Sequence, residues 1–365
     1  MELLLPIDDL NYDWILDMKR THQDPTWHRE GDVYIHTKMV LDEVQKTIGN
    51  EEDINCEILK ISALLHDVEK RSTTKEELVN GVSRITAKNH ARYGEYTARK
   101  ILYKDFDYSF EKREEVCKLV RYHGEPTWTS KESELCFNTI KNSSYLNNVN
   151  LINLATCDVK GRYCDDTEKF LTNIGMYILY AEENGCLSNK YKFHNNASRF
   201  KYLSSKGVDS FPTMQVYDDC KFEVIMLSGL AGAGKDYYYN NNLSHLPMIS
   251  LDEIRKKNNV KRGDSKANGR MIQEALELCR VYLRKNQSFV FNATNLTKNL
   301  RSKWVNLFHN YNAETKIIYI EKPYKKWKDQ NLSRNDVVPD DALEKMLDIL
   351  EIPSYDEAHD VSFVF

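Results

Sequence analysis

Six residues in the first half of the chain have the types and order that phosphate chemistry on metal ions needs. They are His36, His66, Asp67, His90, His123 and Asp158. Neutral imidazoles suit first-row divalent ions and carboxylates suit harder ones. Six such ligands are enough for two ions with positions left for water and substrate, so the series predicts a two-metal centre that hydrolyses phosphate esters. The alternative interpretation is that each histidine is an ordinary core or surface residue.

A second set of residues fits a loop that binds phosphate. The segment LSGLAGAGKD follows a short apolar run and matches G-x-x-x-x-G-K. Glycines allow backbone N–H groups to curl around phosphate oxygens, and the lysine reaches the outer phosphates. Asp236 takes the place of the usual Mg²⁺-binding Ser or Thr, so it is either a Mg²⁺ ligand or a helix cap. The predicted nucleotide-binding residues are Gly229, Gly232, Ala233, Gly234, Lys235 and Asp236.

Asp252 and Arg255 follow the next apolar run, in ISLDEIRKK. A carboxylate at the end of a strand that faces a phosphate loop can take a proton from an acceptor hydroxyl. The alternative is that Asp252 only stabilises the dipole of a helix N-terminus. The spacing therefore makes Asp252 a candidate general base.

The periodicity of apolar residues changes along the chain and predicts two domains. Residues 54–68 repeat apolar side chains every three or four positions, which predicts an amphipathic helix, and most of the first half is similar. The second half alternates short apolar runs with helical stretches, which is typical of a mostly parallel sheet. We predict an all-α domain over 1–205, a linker at 206–219 and an α/β domain over 220–365.

Charge and cysteine usage limit the possible environments and partners. The chain has a net charge of −4, but residues 255–303 hold 13 basic and 3 acidic side chains, a stripe that could follow a phosphate backbone or simply be solvated. The eight scattered cysteines favour a reducing cytoplasm, and no apolar run is long enough to predict a membrane helix.

The histidine and aspartate series resembles the HD phosphohydrolase superfamily. By that resemblance His36, His66, Asp67 and Asp158 are core ligands, and His90 and His123 are the additional pair of the two-metal version. The same resemblance makes Lys70 a candidate for a phosphate contact. The stretch CDVKGR is similar to the end of the HD domain in bacterial tRNA nucleotidyltransferases, which adds Lys160 and Arg162 as candidates.

The second half resembles P-loop polynucleotide kinases. The D-x-x-R element implies that Asp252 is the general base and that Arg255 orients the acceptor. The stretch 330–343 is similar to the lid of that family, which implies that Arg334 reaches over the donor phosphates. Asn292 stands where the family usually has Asp, so it departs from the pattern.

Together the two halves resemble the bacterial HD-Pnk proteins, which heal RNA ends. The resemblance implies an HD phosphohydrolase fold with two transition metals of the Mn, Co, Ni or Zn class. It also implies a P-loop kinase fold that uses Mg²⁺ and ATP or another NTP. The expected partners are RNA or DNA ends and a downstream RNA ligase, without a membrane. Two alternatives are an HD nucleotidase fused to a nucleoside kinase, and a nucleotide sensor without turnover.

Overall fold

The chain forms two units of different architecture. The computed structural model describes residues 2–51, 53–106, 108–129, 131–208, 210–217, 219–260, 264–334 and 337–365. Contacts divide the chain into Met1–Lys192 and Phe193–Phe365. The first unit is helical and the second is built on a parallel sheet, which confirms the predicted fold class. Among the described residues, no helix has the length and apolar character to cross a membrane.

The helical unit packs around one long buried core. Its helices are α1 (Asp13–Arg20), α2 (Val33–Ile48), α3 (Ile54–Leu65), α4 (Lys70–Thr73), α5 (His90–Lys104), α6 (Phe110–Tyr122), α7 (Glu125–Trp128), α8 (Glu132–Ser143), α9 (Asn148–Lys160) and α10 (Thr167–Glu183). Asp53 caps α3 by accepting a hydrogen bond from the backbone N–H of Cys56 at 2.8 Å. Ile58, Ile61 and Leu65 of this helix are buried. Because α3 is anchored in the core by these side chains, the position of the residues that follow its last turn is also fixed.

A β-hairpin interrupts the helices between α4 and α5. Strands β1 (Thr74–Val79) and β2 (Val82–Ala87) pair antiparallel. Asn80 and Gly81 link them with φ values of 52° and 81°, as a two-residue hairpin turn of the primed type requires. No strand was predicted here, because neither β1, which is mostly exposed, nor β2 has the alternating burial of a half-buried strand.

Buried charges join α5 to α6. The Arg99 guanidinium is 2.8 Å from Glu95 Oε1 and 2.8 Å from Glu114 Oε2. Arg99 is only 2% exposed. Removing it would therefore leave the buried carboxylates of Glu95 and Glu114 without part of the positive charge that stabilises them. The pair of helices thus depends on an ion cluster as well as on apolar packing.

Replacing Arg99 with alanine is therefore expected to lower the free energy of unfolding by about 3 kcal/mol, the usual loss when one partner of a buried pair is removed. The measurement is urea unfolding followed by circular dichroism. Lys75→Ala, at an exposed position of β1, is the control and is expected to change stability by less than about 0.5 kcal/mol. Equal stability of the two variants would contradict the stabilising role of the Arg99 ion cluster.

The second unit is organised by a five-stranded sheet in the order β4-β5-β3-β6-β7, with every neighbouring pair parallel. Its strands are β3 (Phe222–Ser228), β4 (Met248–Ser250), β5 (Phe289–Asn292), β6 (Ala313–Ile320) and β7 (Asp360–Val364). Its helices are α11 (Asn196–Ser204), α12 (Lys235–Asn242), α13 (Leu251–Lys257), α14 (Ser265–Arg284), α15 (Lys298–His309), α16 (Tyr324–Leu332) and α17 (Asp340–Asp348). β3 is central, and the loops at its carboxyl end are therefore surrounded by those of its neighbours.

The division of the chain differs from the predicted boundary at 206–219. α11 belongs to the second unit because its side chains contact that unit's last strand region. Arg199 Nη2 donates to the carbonyl of His359 at 2.7 Å, and the Phe200 ring lies 4.6 Å from the His359 ring. The segment predicted as a linker at 206–219 therefore follows α11 and lies within the second unit.

Candidate functional site

The structure brings the six predicted metal ligands together from five helices. His36 lies in α2, and His66 and Asp67 follow the last turn of α3. His90 begins α5, His123 follows α6, and Asp158 lies in the last turn of α9. All are buried or nearly so. Helix ends and a buried core thus place these polar groups at one point.

The first group of ligand atoms comes from His36, His66, Asp67 and Asp158. His36 Nε2 lies 3.0 Å from Asp158 Oδ1 and 3.3 Å from His66 Nε2. Asp67 Oδ2 is 3.2 Å from His66 Nε2 and 3.6 Å from His36 Nε2. Donor atoms bound to one ion at ~2.1 Å are roughly 3.0–3.5 Å apart, so the distances among His36, His66 and Asp67 are close to those of a coordination shell. Asp158 Oδ1 is close to His36 but lies 3.9 Å from His66 Nε2, at the edge of such a shell.

The second group uses the other oxygen of Asp67. Asp67 Oδ1 lies 3.3 Å from His90 Nε2 and 3.9 Å from His123 Nε2, and the two Nε2 atoms are 3.4 Å apart. Asp67 therefore turns one oxygen towards each pair of histidines. This is the arrangement of a carboxylate that bridges two ions.

Backbone carbonyls fix the tautomers of all four histidines. Each Nδ1 donates to a main-chain oxygen, which leaves the lone pair of Nε2 directed into the cluster. The acceptors and distances are Gly161 for His36 at 3.1 Å, Ala63 for His66 at 2.7 Å, Ala87 for His90 at 2.7 Å and Val120 for His123 at 2.8 Å. Metal-binding imidazoles need this orientation.

The electrostatics of the cluster also suit cations. Burial lowers the pKa of His123 to about 3 and lowers the pKa of His90. Burial opposes ionisation of Asp67, but the charges of His66 and Lys70 outweigh it and hold the pKa of Asp67 well below its usual range. Asp67 Oδ1 and Asp158 Oδ1 are buried and have no hydrogen-bond partner among the described residues. Burial also lowers the pKa of His66, but the charge of Asp67 outweighs it and raises that pKa. The neutral imidazoles of His90 and His123 and the unpartnered carboxylate oxygens are donors that divalent metals fit.

Two residues that the sequence analysis did not single out support this cluster. Glu30 Oε1 accepts from His28 Nδ1 at 2.7 Å and lies 3.1 Å from His36 Nδ1. A carboxylate behind a histidine fixes the ring and raises its basicity. His28 and Glu30 precede α2 in a loop, where no periodicity marks them, and only their residue types could have suggested a role.

The predicted phosphate contact Lys70 is held beside Asp67. Its Nζ lies 2.7 Å from Asp67 Oδ2 and donates to Gln23 Oε1 at 2.6 Å. Arg162 forms an ion pair with Asp158 Oδ2 and donates from Nε to the Asp158 carbonyl at 3.1 Å. Lys160 is exposed. Lys70 and Arg162 are therefore positioned to orient the two carboxylates.

The predicted phosphate loop lies between β3 and α12. Gly229 has a φ of 146°, and a Cβ there would lie 2.3 Å from the carbonyl oxygen of Ile320 on β6. Lys235 Nζ donates to the carbonyls of Gly229 and Leu230 at 3.0 and 2.9 Å. Burial lowers the pKa of Lys235 to about 8. The loop therefore encloses a cation, as a phosphate-binding loop should.

Arg334 closes one side of this loop. Its Nη1 lies 3.1 Å from where a Cβ on Gly232 would be, and it is buried without a hydrogen-bond partner in the described part of the chain. Trp327 Nε1 donates to the carbonyl of Ala231 at 2.8 Å and ties α16 to the loop. Within the predicted lid at 330–343, Asn335 and Asp336 lie outside the described residues. Arg334 is thus an unpaired donor directed at the phosphate loop.

Asp252 and Arg255 lie in α13, on the wall of the same cavity, whose volume is about 370 Å³. Arg255 Nη1 lies 2.5 Å from Asp252 Oδ1. The Asp252 side chain lines the cavity and is 65% exposed, so its carboxylate is accessible to an acceptor. The cavity also contains Lys235 and Arg334, so it combines cations for a donor with a carboxylate for an acceptor.

The two departures from the P-loop pattern contact each other. Asn292 Nδ2, at the end of β5, donates to Asp236 Oδ1 at 2.7 Å. Asp236 therefore places a carboxylate on the loop where a hydroxyl is usual, and Asn292 places an amide on the strand where a carboxylate is usual. The site keeps one negative charge, and Asp236 lines the cavity, where a carboxylate is a suitable ligand for Mg²⁺.

The basic stretch at 255–303 is less uniform than the sequence suggested. Arg301 is fully buried, and its Nε lies 2.6 Å from Glu357 Oε2, so it is a structural cation. Lys257 lies 3.3 Å from Glu274 Oε1 and is otherwise exposed. Residues 261–263 lie outside the described residues.

Comparison with known families agrees with both halves of this description. Residues 33–157 match the family model of the HD domain, and residues 224–353 match that of an AAA domain. A search of curated proteins gave no match. Each family match lies within one unit. The chain therefore joins an HD domain, with a His and Asp cluster that can bind metal, to a P-loop kinase-like α/β domain.

Proposed function

We propose that the chain is a bifunctional enzyme that heals nucleic-acid ends, with RNA as the favoured substrate. The P-loop unit transfers a phosphoryl group from an NTP to a 5′-OH end. The HD unit removes a 2′,3′-cyclic, 2′- or 3′-phosphate. RNA cleavage that leaves a cyclic phosphate also leaves a 5′-OH, and an RNA ligase acting downstream needs both ends changed. The observation that supports this proposal is that one chain joins an HD domain, which holds a buried His and Asp cluster, to a P-loop kinase-like domain.

In the kinase unit, Asp252 accepts the proton of the 5′-OH while Lys235 and Arg334 neutralise charge on the donor phosphates. Arg255 holds one oxygen of Asp252 and leaves the other for the acceptor. In the HD unit, His36, His66, Asp67 and Asp158 would hold one divalent ion, and Asp67, His90 and His123 a second. Bound ions would supply a hydroxide nucleophile and stabilise charge on the phosphoryl group. Lys70 and Arg162 orient the two carboxylates.

The test is incubation with an oligoribonucleotide that carries a 5′-OH and a 2′,3′-cyclic phosphate. The expected products, identified by mass, have a 5′-phosphate when NTP and Mg²⁺ are present and lose the terminal phosphate when a transition metal is present. Retention of both original ends under all these conditions would contradict the proposal.

A nucleotidase fused to a nucleoside kinase is the second candidate. The cavity volume of about 370 Å³ is also sufficient for a single nucleoside, which favours this alternative. Kinase assays on a free nucleoside and on a 5′-OH oligonucleotide, run in parallel, separate the two functions. Preference for the oligonucleotide is expected, because Asp252 lies at an exposed edge that a chain end can reach.

The two units are expected to need different metals. Imidazole ligands favour transition metals over Mg²⁺, whereas triphosphate chemistry is satisfied by Mg²⁺. After chelation and dialysis, Mg²⁺ alone should therefore support the kinase and leave end dephosphorylation weak until Mn²⁺, Co²⁺ or Ni²⁺ is added. Full phosphatase activity with Mg²⁺ as the sole ion would count against the histidine cluster as its site.

Asp236→Ala is expected to slow the kinase about ten-fold or more and to raise the Mg²⁺ concentration at half-maximal rate, because it removes a charged contact. Asp236→Ser should retain much of the activity, since it restores a hydroxyl ligand. Titration of the rate with Mg²⁺ is the measurement. An unchanged Mg²⁺ curve together with lower thermal stability would show that Asp236 is structural.

A further inference from the structure

An aromatic cluster beside the metal ligands has a partly uncovered face. It consists of Trp27, Trp128 and Phe170. The Trp128 ring lies 5.7 Å from Trp27 and 4.8 Å from Phe170, edge-on in both cases. Phe170 is buried, but Trp128 is 58% exposed. Tryptophan is seldom left so open, because it has the largest apolar surface of any side chain.

Each member of the cluster is connected to the metal-ligand site. Trp27 precedes His28, whose ring lies 4.6 Å from the ring of His36. The Arg162 guanidinium lies 5.9 Å from the Phe170 ring and also pairs with Asp158. Trp27 and Phe170 are therefore linked to His36 and Asp158 through one intervening residue each, His28 and Arg162.

Trp128 itself is tied to the second group. It ends α7, which starts two residues after His123. Its Cδ1 lies 3.3 Å from where a Cβ on Gly124 would be, so the ring folds back over the residue next to His123. Asn173 Nδ2 donates to the carbonyl of Thr127 at 2.7 Å and fixes the backbone at this point. A hydrogen bond thus fixes the backbone beside Trp128, and the ring packs over Gly124 and against Trp27 and Phe170.

We propose that Trp128 is a stacking platform for the base of the nucleotide whose phosphate lies at the metal cluster. A planar, exposed indole that packs on two other aromatic rings offers a π-face to any base, and such stacking is tolerant of sequence. The inference rests on the proposed function, because it assigns the base-binding part of the HD site. Stacking of one base is worth about 10-fold in affinity or more.

The test compares two oligoribonucleotides that end in a 3′-phosphate and differ only in whether the last nucleotide carries its base. The wild-type enzyme is expected to prefer the base-bearing end by about 10-fold in kcat/KM, mainly through KM. Trp128→Ala should remove this preference and leave turnover of the abasic end unchanged within two-fold, and Trp128→Phe should keep most of it. Leu179→Ala is the control, because Leu179 is 57% exposed on α10 and lies outside the cluster.

The outcomes separate the two proposals. In one outcome, the enzyme removes both phosphates while Trp128→Ala keeps the base preference or slows both substrates equally. Either result contradicts the stacking role of Trp128 and leaves the end-healing function unaffected. If both 3′-phosphates remain intact, that function fails, and the same variants are compared on a nucleoside monophosphate and ribose phosphate. If the wild-type enzyme then uses the nucleoside monophosphate and the ribose phosphate equally, the stacking role of Trp128 is wrong. If it prefers the nucleoside monophosphate and Trp128→Ala removes this preference, the stacking role is supported.

Discussion

Asp67→Ala is expected to reduce end dephosphorylation by about 10³-fold or more while the kinase keeps its wild-type rate. Asp67 faces both pairs of histidines, so its loss removes a donor from each group at once. Metal-assisted stabilisation is worth several kcal/mol, which corresponds to at least this change in rate. Product termini are quantified for both reactions on one preparation. Asp42→Ala, on the exposed side of α2, is the matched control and should change neither activity.

Lys235→Ala should give the reciprocal result, with the kinase lost and dephosphorylation retained, because this ammonium lies inside the phosphate loop. Its control is Lys221→Ala, at an exposed position before β3. If Asp67→Ala lost the kinase as completely as Lys235→Ala while remaining folded, two independent sites could not be maintained.

Asp252→Asn is expected to slow the kinase by about 10²–10⁴-fold with little change in nucleotide affinity. Proton transfer by a placed carboxylate accounts for this range, and asparagine keeps the shape of the side chain and an oxygen for Arg255 but loses basicity. The measurements are kcat on a 5′-OH oligonucleotide and nucleotide binding by calorimetry.

Glu253→Gln is the control for Asp252, because it changes the neighbouring carboxylate in the same helical turn. It should leave the rate within about two-fold. A loss below ten-fold in Asp252→Asn, matched by Glu253→Gln, would instead indicate that Asp252 only stabilises the N-terminus of α13.

Both sites were partly predictable from residue types and order. Metal ligands and phosphate loops need particular side chains at particular spacings. The sequence alone therefore identifies the pairs His66 with Asp67 and Gly234 with Lys235. The helical period over 54–68 also predicted α3, which ends at Leu65. The roles of the individual residues stay predictions until the variants above are measured.

Other features needed the three-dimensional structure. Asn292 and Asp236 are 56 residues apart, and only the parallel pairing of β3 with β5 brings them together. Glu30 is recognisable as a partner of His36 only once the loop before α2 is folded. For the hairpin at 74–87 a signal was present in the sequence, since Asn80–Gly81 is a strong turn pair, but the two strands lack the alternating apolar pattern that would support it.

The C-terminal segment that contains Glu357 and β7 has a practical consequence for expressing the second unit alone. The AAA match ends at residue 353, before Glu357 and before the strand that pairs with β6. A fragment cut there would leave the Arg301 guanidinium buried opposite a missing carboxylate and would open the edge of β6 to intermolecular pairing. A fragment begun at residue 220 would lose α11 and the bond from Arg199 to His359. We therefore expect a fragment of 193–365 to stay soluble and one of 220–353 to aggregate.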